Sequence, residues 1–275
     1  MLRLRVITAV VLLLVLLGAL ALGPRAFATF VALAFGAAMF EWLRLAAWPI
    51  PFAIAGGIVG AAPLAALPWL GIDLGGAALR MVAALTCLTW VGVAAWIVIA
   101  ERSNRLALHN GVVAVLLPVL LGGAWFALIA LYRHSALYLF STLAVVWIAD
   151  IAAYFAGRAF GKRKLAPHIS PGKTWAGAGG AVVTVIVAGW GVWLVWPAGG
   201  LFSNALFARA PVLAIVTLVL LVAISIVGDL FESLLKRHAG VKDSSGLLPG
   251  HGGVLDRIDA LLPVLPAAVL IESFL

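Results

Sequence analysis

Charged side chains are scarce in this sequence. Asp, Glu, Lys and Arg make up 10% of its 275 residues, against about a quarter in a soluble domain, which excludes a water-soluble globular fold. Cysteine is nearly absent as well: Cys87 stands alone, so neither a disulfide framework nor a cysteine metal site can form within the chain. Lying in an apolar run, it reads as a small packed hydrophobe. The alternating strand pattern of an outer-membrane barrel is missing, as are internal repeats and Ser/Pro-rich linkers, which leaves helices to satisfy the backbone in lipid. One membrane-embedded domain over 1–275 is expected, with amino-terminal helices over 1–131 and helices and site-bearing loops over 132–275.

Hydrocarbon is what the chain has in excess. Hydrophobic residues are 65% of the total and the mean hydropathy is +1.20. Runs of about 20 apolar residues, long enough to cross roughly 30 Å of hydrocarbon, predict an all-α polytopic integral membrane protein with about nine transmembrane helices. They lie at 6–22, 27–42, 52–70, 79–100, 111–131, 136–155, 175–196, 211–227 and 260–275, the second and last being short. Arg3 and Arg5 ahead of the first run fit a secretory signal or a spanning helix. The length of the run and the lack of a small-residue cleavage site before Pro24 favour the helix. Trp42, Trp48, Trp69, Tyr132, Trp175 and Trp196 at run ends follow the interfacial-belt pattern.

The formal charge of +8 would suggest nucleic acid as the partner of a soluble protein. Here basic residues flanking helices set orientation, and no nucleic-acid partner is expected. With a cytoplasmic amino terminus, Arg44, Arg102, Arg105, Arg158, Lys162, Arg163, Lys164, Lys173, Lys236, Arg237 and Lys242 fall inside. Arg25, Arg80, Arg133 and Arg209 fall outside. This asymmetry predicts an N-in, C-out topology that puts the two most charged loops on the cytoplasmic face.

The charge that exists is concentrated. Segment 228–259, GDLFESLLKRHAGVKDSSGLLPGHGGVLDRID, holds nine of the chain's charged residues, and ionised groups near hydrocarbon cost roughly 2.5 to 3.5 kcal/mol each on insertion scales. It is the candidate active site. If the helix begun at Pro211 continues, Asp229, Glu232, Ser233 and Lys236 share one face, and Gly240 ends it. The glycines and proline of 242–253 then suit a loop that wraps an anion, and Asp256 and Asp259 follow three apart on one face.

Two other stretches bear on chemistry. Asp150 lies late in the 136–155 run, with Tyr154 and Arg158 at steps of four along the same face. It either locks helices through an ion pair on the Arg158 side or faces a wet cavity as a functional carboxylate. In 157–177, GRAFGKRKLAPHISPGKTWAG, Lys162, Arg163, Lys164 and Lys173 supply cations and the glycines admit close backbone approach, which suits phosphate. A basic cytoplasmic loop is also what topology alone requires. Carboxylates from two helix ends, without cysteine, suit a hard cation such as Mg²⁺ completed by substrate phosphates. Zinc is the weaker reading, since no second histidine stands at ligand spacing from His251. His251 itself can donate to a phosphate oxygen. His109, His134, His168 and His238 read as solvated loop residues.

These residues resemble a known family. Ser233-Leu-Leu-Lys236-Arg237, Lys242-Asp243, Pro249-Gly-His251-Gly-Gly253 and Leu255-Asp256-Arg257-Ile-Asp259 are similar to the signature of the phosphatidate cytidylyltransferases, or CDP-diacylglycerol synthases. Gly228-Asp229-x-x-Glu232-Ser233, Asp150-x-x-x-Tyr154-x-x-Gly157-Arg158 and Ser170-Pro171-x-Lys173-Thr174-Trp175-x-Gly177 resemble the family's other shared segments. The likeness covers roughly the carboxy-terminal half. Ala176 departs from it, where many relatives carry Glu or Gln.

The resemblance implies transfer of a cytidylyl group from CTP to phosphatidic acid, giving CDP-diacylglycerol and pyrophosphate. It implies Mg²⁺ with K⁺ as a second cation, and places metal at Asp229 and Asp256. Asp229, Asp256, Lys236, Arg237 and Asp259 are then the catalytic set. Ser170, Lys173, Thr174, Lys242, Asp243, His251, Gly252, Gly253, Arg257 and Asp150 are the substrate-binding set. The partners expected are CTP, phosphatidic acid, the bilayer and a second copy of the chain, at a bacterial inner membrane. Two other readings stand beside it: another CTP-dependent lipid enzyme of the polyprenol kinase type, and a transporter. The transporter is opposed by the confinement of charge to the second half.

Overall fold

The computed structural model describes residues 2–72, 74–103 and 109–275, so Arg105 lies outside the described residues. Helices dominate, as the apolar runs predict: α1 (Leu2–Ala21), α2 (Pro24–Leu45), α3 (Ile50–Ala66), α4 (Gly76–Ser103), α5 (Asn110–His134) and α6 (Ala136–Phe160) precede a short hairpin. The hairpin consists of β1 (Lys164–Ala166) and β2 (Ser170–Thr174). Then come α7 (Trp175–Val195), α8 (Phe202–Arg209), α9 (Pro211–Ala239), α10 (Leu255–Ile258) and α11 (Leu261–Glu272).

Among the described residues seven helices, α1, α2, α4, α5, α6, α7 and α9, are long and apolar enough to span a membrane. Two of the nine expected spans fall outside that set. α3 has 17 residues, at the lower end of the usual span length. α11 has 12 residues, and Leu261, Leu262, Pro263, Val264, Leu265, Pro266, Ala268 and Val269 within it are buried. Apolarity all round, here, goes with a helix enclosed by protein. It packs on α4, α5, α6 and α9. At the other extreme α1 has only 6% of its span buried.

The core meets at one aromatic cluster. Phe231 on α9 lies 5.3 Å from Trp42 of α2, 5.7 Å and edge-on from Trp90, and 6.3 Å from Trp96, both of α4. Trp42 is fully buried and its Nε1 donates to the Val113 carbonyl of α5 at 2.9 Å. A tryptophan is useful in such a place because its ring packs in the core while its one polar atom finds an acceptor. Cys87 sits half-buried on α4, outside the cavity described below.

α9 continues beyond its apolar run to Ala239 and is stopped by Gly240, which has φ 69° and ends the helix in the left-handed conformation. Segment 164–174, read from sequence as a loop, forms two antiparallel strands with Lys164 opposite Thr174 and Ala166 opposite Ser170. Its tip is fastened at both sides. Glu101, in the last turn of α4, accepts from the His168 N–H (3.0 Å), the His168 ring (2.8 Å) and the Ile169 N–H (3.1 Å). The Arg237 Nε donates to the Ile169 carbonyl at 3.3 Å. The two charged loops therefore share one end of the bundle.

Truncating the aromatic hub should test this packing. Phe231→Ala is expected to lower the stability of detergent-solubilised protein by about 3 kcal/mol, as large-to-small core changes do, read as a fall in the thermal unfolding midpoint.

Candidate active site

A cavity of about 600 Å³ opens between α6, α7, α9 and the hairpin. Its wall is of two kinds. Ala149, Ala153, Ala178, Ala181, Val222 and Ile226 make an apolar side, while Asp150, Arg158, Lys164, Lys173 and Asp229 make a charged one. The helices that frame it approach closely through small residues on α6 and α7.

Asp229 and Lys173 face each other across it, the Lys173 Nζ lying 2.5 Å from the Asp229 Oδ2. The Ser233 Oγ donates to Asp229 Oδ1 at 3.3 Å, one turn along α9. Asp150 is exposed to the same cavity from α6. Among the described residues no ion pair joins it to Arg158, whose Nη1 donates to the Tyr154 hydroxyl at 3.4 Å. Of the two sequence readings of Asp150, the cavity-facing carboxylate is the one observed.

Asp259 joins this group because α9 and the start of α11 touch. A Cβ on Gly228 would stand 2.4 Å from the Asp259 carbonyl oxygen and 2.9 Å from the Pro263 ring, so only glycine permits the approach. Burial, and then the charge of Asp229, raise the Asp259 carboxyl to about 7, against the opposing pull of the Ala260 N–H, Lys173 and Lys236.

Behind them lies a second cluster. The Lys236 ammonium donates to Glu232 one turn back on α9 and to Asp256 Oδ1 at 2.7 Å. The predicted shared face of Asp229, Glu232, Ser233 and Lys236 therefore exists. Asp256 Oδ2 accepts from the Ser244 N–H (2.9 Å), the Ser244 hydroxyl (2.9 Å) and the Gly253 N–H (2.8 Å). Burial alone would raise the Asp256 carboxyl, but contacts with Glu232, Lys236, Gly253 and Ser244 outweigh it and hold the group well below the usual carboxylate range. Because Asp259 responds to Asp229, Lys173 and Lys236 alike, the two clusters form one electrostatic unit.

The remaining predicted residues separate by position. Thr174 lines the cavity and also caps α7, its Oγ1 accepting from the Gly177 N–H at 3.1 Å. Ser170 begins β2, and Arg237 fastens the hairpin tip. Lys242, Asp243 and Arg257 are exposed on or beside the 242–253 loop, with the Arg257 Nη2 donating to the His251 carbonyl at 2.5 Å. The His251 Nδ1 is buried with no partner among the described residues. Gly252 has φ 82°. None of these last residues lines the cavity. Of the histidines read as solvated, His134 and His168 are exposed and His238 is half-buried, and each also has a partner: His168 with Glu101, His134 with Glu272 at 3.4 Å, and His238 with the Asn110 side chain at 2.8 Å.

Two acids were missed. Glu41 and Glu101 lie in the half of the chain taken to be free of site charge, and both hold loops of the site. For Glu41 a signal was available: it is the sole acid in the first 72 residues.

Among the described residues no three His, Cys, Asp or Glu side chains assemble into a metal-ligand cluster. The donor set nonetheless fits a hard cation completed by phosphates. Lys173 pairs with Asp229, Lys236 pairs with Glu232 and Asp256, Asp150 lines the same cavity as Asp229, and the buried Glu232 Oε1 has no hydrogen-bond partner among the described residues. All-oxygen donors with surplus negative charge are what Mg²⁺ takes, commonly with one or two carboxylates from the protein.

Known proteins share this sequence. Phosphatidate cytidylyltransferase of Pseudomonas aeruginosa is 39% identical over 279 residues, covering 97% of this chain and 95% of its own. Proteins of the same name from Haemophilus influenzae and Bacillus subtilis are 47% and 43% identical over 133 and 138 residues, about half of each chain. The model of the cytidylyltransferase family matches residues 3–275, and the chain belongs to that family.

Proposed function

We propose that this protein transfers a cytidylyl group from CTP to the phosphate of phosphatidic acid, releasing pyrophosphate and forming CDP-diacylglycerol. The observation that carries this reading is the double character of the cavity. An apolar side fits the glycerolipid portion of a phosphatidate, and Lys173, Lys164 and Arg158 on the opposite side attract its phosphate. A lipid in the bilayer and a nucleotide in water can meet only at such a membrane edge. The name and 39% identity of the Pseudomonas aeruginosa relative support the substrate pair, and the basic residues of the inner loops support a cytoplasmic opening in an inner membrane with the amino terminus inside.

The residues have distinct tasks. Lys173, already paired with Asp229, can exchange that carboxylate for a phosphate oxygen and so hold the lipid head beside α9. Lys236 and Arg237 stand at the next turn for the triphosphate, with Lys242 and His251 on the 242–253 loop and Arg257 on α10. Attack by the phosphatidate oxygen on the α-phosphorus, in line with the departing pyrophosphate, needs positioning and charge neutralisation more than covalent catalysis. Asp229 and Asp256, with Asp259 and Glu232 close by, would hold Mg²⁺, with K⁺ as a second cation. Bound there, a divalent ion neutralises developing charge on the phosphates.

Detergent-solubilised protein given labelled CTP and phosphatidic acid is expected to form labelled CDP-diacylglycerol with Mg²⁺ and none with a chelator. A folded sample that labels a different lipid phosphate, and not this one, refutes the substrate assignment. Asp256→Asn should reduce turnover at least about 100-fold at normal abundance, and Lys173→Ala by a similar factor, as loss of a preorganised charge contact does. Retention of most activity removes the residue from its assigned task.

The raised Asp259 carboxyl makes a separate prediction. Between the ordinary carboxylate value, about 4, and about 7, the folded protein binds more protons than the unfolded chain. Stability in chelator should therefore fall as pH rises through that window. Asp259→Asn should flatten the dependence, and added Mg²⁺ should weaken it, both read from thermal midpoints across pH.

A further inference from the structure

The one acid of the first 72 residues is among the least exposed side chains in the protein. Glu41, in the last turn of α2, is 0% exposed. Burying a carboxylate in an apolar helix bundle is costly unless donors replace the lost water, and here four do. Oε1 accepts from the Ser245 hydroxyl (2.5 Å) and the Val254 N–H (2.9 Å), and Oε2 accepts from the Ser244 hydroxyl (3.2 Å) and the Leu255 N–H (2.6 Å). Each partner brings an N–H or O–H to the carboxylate oxygens.

All four donors belong to one segment, Ser244 and Ser245 near the start of the glycine-rich loop and Val254 and Leu255 where the loop gives way to α10. We infer that Glu41 is a positioning residue for cytidylyl transfer: from α2 it holds segment 244–255 so that Asp256, the next residue, keeps its place against Lys236. This rests on the function proposed above.

Three features tie Glu41 to Asp256 and not merely to the loop. The Ser244 hydroxyl has one proton and lies within reach of both Glu41 Oε2 and Asp256 Oδ2, so it couples the two carboxylates. The Val254 and Leu255 N–H groups that Glu41 receives come immediately before Asp256 in the chain. At position 253 a Cβ would stand 2.0 Å from the Ser244 Oγ and 2.5 Å from Glu41 Oε1, so glycine is required for the clasp to close while the Gly253 N–H reaches Asp256 Oδ2. A second tether, the Thr8 hydroxyl of α1 on the Pro249 carbonyl at 2.8 Å, holds the far side of the same loop. The amino-terminal helices thereby take part in the site.

The test is Glu41→Gln, which keeps the shape and turns one acceptor oxygen into an NH₂ group that faces donors. Two readouts are needed, because a purely structural role would only lower the yield of folded protein. In the first, hydrogen exchange of the Val254 and Leu255 amides in solubilised protein should accelerate about 10-fold, the equivalent of one lost hydrogen bond. In the second, kcat for CDP-diacylglycerol formation should fall about 10- to 100-fold, the usual cost of removing a supporting partner. The Mg²⁺ concentration for half-maximal rate should rise and the KM for CTP should stay near the wild-type value. Ser244→Ala should reproduce both effects in weaker form, and it carries the test if the Gln variant does not fold. Exchange and Mg²⁺ dependence that match wild type in a folded variant overturn the assignment. So does faster exchange with unchanged kcat. If wild-type protein forms no CDP-diacylglycerol, the functional reading fails, and the exchange result alone decides whether Glu41 holds the segment.

Discussion

Like charges crowded into a medium of low polarity must be offset by something, and this protein brings five carboxylates to one end of a hydrophobic bundle with two lysines among them. Each device at that end answers to this constraint. Lys173 reaches over from the hairpin to Asp229, Lys236 stands between Glu232 and Asp256, and Asp259 takes up the imbalance by holding its proton more firmly.

Geometry around the carboxylates comes from rigid parts placed outside them. The hairpin that carries Lys173 is pinned by Glu101 from α4 and Arg237 from α9. The loop that precedes Asp256 is pinned by Glu41 from α2 and Thr8 from α1. Acids far from the cavity therefore accept backbone N–H groups and fix the loops, while Asp150 and Asp229 line the cavity and Glu232, Asp256 and Asp259 stand near them. The two groups of acids differ in their partners: backbone and hydroxyl donors for the former, ammonium groups and neighbouring acids for most of the latter.

Much of the site could be read along the chain because helical spacing carries it. Asp229, Glu232, Ser233 and Lys236 were placed on one face by their steps of three and four, and Gly240 was read as the stop that the backbone shows. The apolar runs located the helices, but a run such as 260–275 looks the same whether lipid or protein surrounds it, and α11 proved to be the enclosed kind. The hairpin was hidden by its Pro171 and Gly172, which suggest a loop, and by strands of only three and five residues. Glu41 gave no periodic signal, since its partners lie 203 to 214 residues further on. A single acid in an apolar stretch is a flag for long-range contact, yet nothing local says with what.

Cys87, half-buried on α4 and apart from the cavity, has a practical consequence. Since it is the sole cysteine, one substitution rids the protein of thiols. A cysteine then introduced on the exposed part of the 242–253 loop becomes the only attachment point for a spin label or fluorophore. The displacement of that loop relative to the hairpin as nucleotide and lipid arrive can then be followed spectroscopically in a chain otherwise silent to thiol reagents.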